Sequence, residues 1–230
     1  MNIENNLPPV VELGWEYQYR IIPSEYPPIN FFEKLVAPEL MEELFYIESL
    51  TNDRLRDEAG DIALVSSEDR ICGPGSSPVM AAFTHTSVNC PSRFSDGSFG
   101  VYYAAQTLEA AITETKFHRA RFLAYTNEAA GEIDMRVYIG EIIKPLHDIR
   151  SSAYEHLHFS QDWTPSQRFG KSVKTINSWG LVYHSVRHPG GQCIAALRPP
   201  TVSIPRQGAH LSYVWDGETI CKVYEKRLLV

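Results

Sequence analysis

The stretch that most limits what this chain can become is Arg93 to Glu114, RFSDGSFGVYYAAQTLEAAITE. Its pattern passes from a Gly-punctuated loop to a short strand, Gly100 to Ala105, and then to helical spacing from about Thr107. Loop, strand and helix in immediate succession call for a sheet with a helix folded back on it. The stretch also carries a cation at Arg93, a phenol at Tyr103 and a carboxylate at Glu114. A loop cation can hold an anion, a strand tyrosine can meet a flat ring, and a helix carboxylate can grip hydroxyls.

The rest of the chain supplies the remaining layers. Residues 1–14 read as a lead-in. WEYQYRII, Trp15 to Ile22, reads as a strand with Glu16, Gln18 and Arg20 on one face and Trp15, Tyr17, Tyr19 and Ile21 on the other. On that pattern Arg20 is either a solvated edge residue or a ligand contact. A helix is expected from about Pro38, where Leu40, Met41, Leu44, Phe45 and Ile47 form an apolar stripe. Arg70 to Met80 reads as a Gly/Pro/Ser loop and lacks the G-K-[ST] ending of a nucleoside-triphosphate loop. Residues 23–90 are expected to form an elaborated subregion within a single domain spanning 1–230.

Downstream, Phe117 to Tyr125 continues the helix and Gly131 to Ile143 alternates like a strand. Asp162 to Gly180 reads as a helix with a Thr-Pro start, and GLVYHSV and QCIAALRP as strands around an HPGG turn. Asp216-Gly217 between two alternating runs signals a final hairpin. The order of elements predicts an α+β fold, a mixed or mainly antiparallel β core flanked by helices.

Charge and composition exclude several functions. The net charge is −7, and no Lys/Arg run supplies the basic stripe that duplex binding or a ribonuclease surface requires, so nucleic acid is not an expected partner. The four cysteines contain no C-x-x-C pair. His118 stands four residues after Glu114, a spacing that could bind metal, but the other ligands are missing nearby, so no metal is expected. The first residues lack the pattern of a signal peptide, and no apolar run approaches the roughly 20 residues needed to span a bilayer, so no membrane association and a cytoplasmic location are expected. Ser185 lacks a G-x-S-x-G elbow, and His184 beside it points to the opposite strand face.

Taken singly, these residues have ordinary alternatives. Glu114 falls on the flank of its helix with Ala110, Phe117 and His118, where a carboxylate is usually solvated. Tyr103 could belong to the core and Arg93 to the surface, although a cation in a flexible Gly-containing loop is the most suggestive of the three.

Together the pieces resemble the RES domain family, named for its Arg, Glu and Ser. The matching segments are YRI (Tyr19 to Ile21), Arg93 to Glu114, DWTPSQRFGKSVK and GLVYHSV, spanning about Tyr19 to Pro199. By position the resemblance places the family's arginines on Arg20 and Arg93, its aromatic on Tyr103, its acid on Glu114 and its serine on Ser185, here preceded by Tyr183-His184. It implies an ADP-ribosyltransferase-like fold and a toxin of a type II toxin–antitoxin pair that consumes NAD as substrate. Glu114, Arg93 and Tyr103 would be catalytic. Arg20, Tyr19, Arg93, Tyr103 and Ser185 would bind the dinucleotide. It further implies a cognate Xre-like antitoxin, a protein substrate for ADP-ribosylation and a homodimer, and it leaves water, phosphate or a protein side chain open as acceptor. A non-catalytic partner-binding module is the rival expectation.

Overall fold

The computed structural model describes residues 7–24, 60–89, 91–227 and 229. The helix expected from Pro38 lies outside them. Among the described residues nine strands form one sheet: β1 (Val10–Val11), β2 (Gln18–Pro23), β3 (Tyr102–Ala105), β4 (Gly131–Gly140), β5 (Leu146–Asp148), β6 (Gly180–His184), β7 (Gln192–Ala196), β8 (Arg206–Trp215) and β9 (Ile220–Lys226). Their order across the sheet is β1-β5-β6-β7-β3-β2-β4-β8-β9. All neighbours are antiparallel except β5 and β6. Three α-helices, α1 (Ser77–Thr84), α2 (Leu108–Thr126) and α3 (Thr164–Thr175), complete the described α+β fold.

Each sheet face has its own core. On one, Val137, Leu181, Ala195 and Tyr213 pack with Ala110 and Ala111 of α2 and Val173 of α3. On the other, Tyr102, Leu146, Val182 and Ile194 pack with Val79, Met80 and Phe83 of α1. Helix α1 begins inside the stretch read from sequence as a loop, with Pro78 in its first turn, where the missing N–H costs no helix bond. Val10 and Val11, inside the expected lead-in, pair with His147 and Leu146 at the sheet edge. The final hairpin forms, but through a four-residue turn. There Asp216 Oδ1 accepts from the N–H groups of Glu218 and Thr219 at 2.9 and 2.8 Å.

The sheet is split near its middle. β2 pairs with β4 over six positions, from Gln18 against Gly140 to Pro23 against Met135, yet with β3 only at Tyr19 against Ala105. Past that point β2 and β3 part, and their facing edges lose the ladder bonds that would fill the gap. Unpaired strand edges need other partners. The Tyr103 carbonyl finds one in a side chain, and the gap becomes a cleft.

Candidate active site

The cleft encloses about 240 Å³. Tyr19 and Arg20 of β2, Arg93 of the loop before β3, Tyr103 of β3 and Glu114 of α2 line it together. Ser185 does not line it but touches Glu114. His118, Trp163, Tyr183 and Cys193 complete much of the wall.

Arg20 occupies the split itself. β2 is an interior strand and Arg20 is half-buried on it, so it is not a solvated edge residue, which removes one of the two alternatives left by the pattern. On the same face Gln18 is 0% exposed and its Nε2 lies 3.0 Å from the Tyr102 hydroxyl. The Arg20 guanidinium sits 4.5 Å from the Tyr102 ring centroid and donates from Nη1 to the Tyr103 carbonyl at 3.0 Å, satisfying an acceptor that lacks a strand partner. Its Nε–H is buried without an acceptor. Burial pushes its pKa down, against the pull of Tyr102 and Tyr103. Tyr19 and Arg20 lie on opposite faces of β2, as alternation requires, and reach one cleft because it opens through the sheet.

The loop bearing Arg93 is tied down by Tyr103. The Tyr103 hydroxyl accepts from the Phe94 N–H at 3.0 Å and bonds the Ser92 hydroxyl at 2.9 Å. Burial lifts its pKa to about 12, partly opposed by these bonds and by Arg93 and Arg20, so the phenol is neutral. Arg93, 8% exposed, donates from Nη1 to the carbonyls of Phe159 at 2.9 Å and Leu157 at 3.4 Å. Behind the loop, α3 comes close enough that a Cβ on Gly170 would lie 2.0 Å from the Phe94 carbonyl oxygen. Neither Arg20 nor Arg93 has a carboxylate within 4.0 Å among the described residues. Two cations so placed suit an anionic ligand.

Thr107 caps α2, its Oγ1 accepting from the Ala110 N–H at 3.2 Å, and sets the helix phase that aims Glu114. Glu114 itself is largely covered, contrary to the expectation of a solvated carboxylate, because the turn after β6 packs over it. Glu114 Oε1 accepts from Ser185 Oγ at 2.5 Å and from the N–H groups of Val186 at 3.1 Å and Arg187 at 3.3 Å. Ser185 Oγ in turn accepts from the N–H groups of His188 at 2.9 Å and Arg187 at 3.3 Å. One carboxylate oxygen is thus fully engaged, and Oε2 is left toward His118 Nε2, 3.9 Å away.

Sequence reasoning missed Arg187 and Trp163. The Arg187 guanidinium lies 3.5 Å from the Phe117 ring centroid and donates to the Ser160 carbonyl at 2.9 Å, pinning the turn to α2. Trp163 lies under Arg121 at 4.9 Å and Arg93 at 5.9 Å. An arginine two residues past Ser185 was visible as a signal; nothing local marked Trp163 beyond its place before the Thr-Pro helix start. Among the described residues no cluster of three or more His, Cys, Asp or Glu could hold a metal ion, and no helix is long and apolar enough to cross a membrane.

The split sheet thus gathers two guanidiniums and a braced carboxylate around one cleft. Residues 68–216 match the model of the RES domain, and the chain belongs to the RES domain family. An uncharacterized Sinorhizobium fredii protein, y4oC, is 31% identical over 207 residues, covering 90% of this chain and 86% of that protein. Among solved structures, that of the M. tuberculosis MbcT–MbcA toxin–antitoxin complex matches at 13% identity over 92% of this chain and 87% of that one, with a TM-score of 0.43.

Proposed function

We propose that this protein is the toxin of a type II toxin–antitoxin pair and cleaves the nicotinamide–ribose bond of NAD, passing ADP-ribose to an acceptor. The observation that carries this reading is the convergence in one cleft of Arg20, Arg93, Tyr19, Tyr103 and Glu114, residues drawn from two stretches of sequence and four structural elements. A dinucleotide brings a pyrophosphate, a flat cationic ring and vicinal ribose hydroxyls, and the wall offers a counterpart to each. A neighbouring concavity of about 780 Å³ shares Arg20, Ser92 and Tyr103 with the cleft, giving an extended ligand room to run past the split.

Arg20 and Arg93 hold the pyrophosphate, and an anion there relieves the burial of an unneutralised Arg20. The Tyr19 and Tyr103 rings flank the nicotinamide side. The pyridinium is already a good leaving group, so the barrier lies in the positive charge that develops on the ribose. Glu114 meets that charge and the ribose hydroxyls with Oε2, while Ser185 and two backbone N–H groups keep the carboxylate aimed. Such a fixed dipole and charge arrangement acts without reorganising during the reaction. Ser185 therefore contributes through Glu114.

The acceptor is a protein side chain, making the protein a mono-ADP-ribosyltransferase, or water or phosphate, making it a glycohydrolase or phosphorylase. The expected partner is an Xre-like antitoxin, and a homodimer is expected with it. Incubating purified protein with NAD should release nicotinamide, and mass spectrometry of the ADP-ribose product, with and without phosphate or cell protein, assigns the acceptor. NAD unchanged by the protein freed of its antitoxin would sink the reading and favour a non-catalytic binding module.

A further inference from the structure

Beyond the residues of the family motif, the cleft wall holds a second group able to move a proton. His118 lies one turn after Glu114 on α2, its Nε2 3.9 Å from Glu114 Oε2, and both side chains line the same cleft. The ring is held edge-on to Phe117 at 5.4 Å and tilted against Trp163 at 5.9 Å. Its side chain is 50% exposed, so an incoming molecule can reach it. The charged groups facing it are Glu114 and Arg121 from its own helix, Arg93 from the loop before β3 and Arg187 from the turn after β6. Nothing in the bond-breaking chemistry assigned to Glu114 uses this imidazole.

We propose that His118 is the general base that takes the proton of an incoming O–H acceptor, so that the ADP-ribose is handed to water or to a hydroxyl. This role rests on the NAD-cleaving reading above. In the step, the C1′–N bond breaks and its electron pair leaves with nicotinamide, which departs neutral. A lone pair of the acceptor oxygen forms the new O–C1′ bond, and the acceptor's proton passes to Nε2 of the imidazole carrying its other proton on Nδ1, and then to solvent. Glu114 Oε2 stands where the resulting imidazolium needs a counter-charge. Its own Oε1 is already committed to Ser185 and the backbone, so it does not have to turn to meet either cation. Partial burial, with Arg93, Arg187 and Arg121, moves the His118 pKa below its ordinary 6.5 against the pull of Glu114. The base is thus in its working, neutral form at pH 7.

The test compares nicotinamide release and product identity for the full chain and for His118→Gln and His118→Ala across pH 5 to 8. General-base catalysis contributes about 10²- to 10⁴-fold, so His118→Gln should turn over about 100-fold more slowly at pH 7 while binding NAD as the unaltered chain does. The unaltered chain should lose activity as pH falls through a midpoint below about 6.5, and that acidic limb should vanish in His118→Gln. Added imidazole should restore part of the His118→Ala rate. The product, free ADP-ribose or an adduct of a hydroxyl compound, tells the two acceptor sources apart. Equal rates and an identical acidic limb in His118→Gln, or a phosphate-bearing product formed equally fast by both, would overturn the role while leaving NAD cleavage standing. No nicotinamide from the unaltered chain would overturn both.

Discussion

At the scale of single residues, the division of labour between the two oxygens of Glu114 decides what substitutions do. Oε1 is saturated by three donors, and Oε2 is the oxygen left to meet a ligand. Glu114→Gln keeps the shape but removes the charge that offsets an oxocarbenium. Removing one preorganised electrostatic group costs about 10²- to 10³-fold in kcat. Glu114→Gln should therefore lower nicotinamide release by that order while changing NAD affinity less than about threefold. Equal losses in turnover and binding, measured by steady-state kinetics and titration calorimetry, would show that Glu114 only holds the ground state. Ser185→Ala leaves the carboxylate with two backbone donors. A hydrogen bond to a charged group contributes about 1.5–3 kcal/mol, so turnover should fall by roughly 10- to 100-fold, with little change in KM.

At the scale of elements, the site depends on two approaches that no local pattern reveals. The loop before β3 is set by Tyr103 from in front and by Gly170 of α3 from behind. Gly170→Ala drives a methyl group into the Phe94 carbonyl, and overpacking of this kind costs about 1–3 kcal/mol. The expected result is a lower unfolding midpoint together with weaker NAD binding, because Arg93 moves with the loop. A melting curve and an affinity measurement on the same variant check both. Arg93, Tyr103 and Glu114 were legible in the sequence as candidates because one 22-residue stretch carries a cation, a phenol and a carboxylate on a loop, a strand and a helix, while the pattern alone left each of them an ordinary alternative. The contact of Ser185 with Glu114 was not, since 71 residues separate them and the turn after β6 has no pattern that aims a hydroxyl at a helix. Helix α1 was hidden by the Gly/Pro/Ser run ahead of it. The placement of Arg20 was misjudged in one alternative because alternation gives the face of a residue and says nothing about whether its strand lies inside the sheet.

At the scale of the whole molecule, the same burial that shapes the cleft sets how the fold answers to pH. The Cys193 thiol and the Tyr103 and Tyr213 phenols are all pushed up to about 12, chiefly by burial, from ordinary values of 9.0 and 10.0. In the unfolded chain these groups ionise at their ordinary values, so the stability they contribute is complete below pH 9 and is lost as pH rises from 9 to about 12. The urea midpoint should fall steadily across that window, and Cys193→Ala should delay the onset toward pH 10, the ordinary phenol value.

The split between β2 and β3 yields a sharper expectation. A continuous sheet would satisfy the Tyr103 carbonyl with a backbone N–H; here a half-buried guanidinium does it, with its Nε–H left unpaired and no carboxylate within 4.0 Å among the described residues. Removing such a cation from water without a counter-charge is unfavourable, so an apolar side chain of similar volume relieves the fold of that cost. Arg20→Met keeps the length of the side chain and its packing on Tyr102 while removing the charge. The Tyr103 carbonyl then loses its donor, at a cost of about 1–3 kcal/mol that offsets the relief of the charge. The unfolding midpoint should therefore stay within a few degrees while NAD binding is abolished, the pairing expected of a residue kept for its ligand. A variant that melts lower and still binds NAD would mean that Arg20 is a structural clamp across the split, and that the pyrophosphate is held elsewhere.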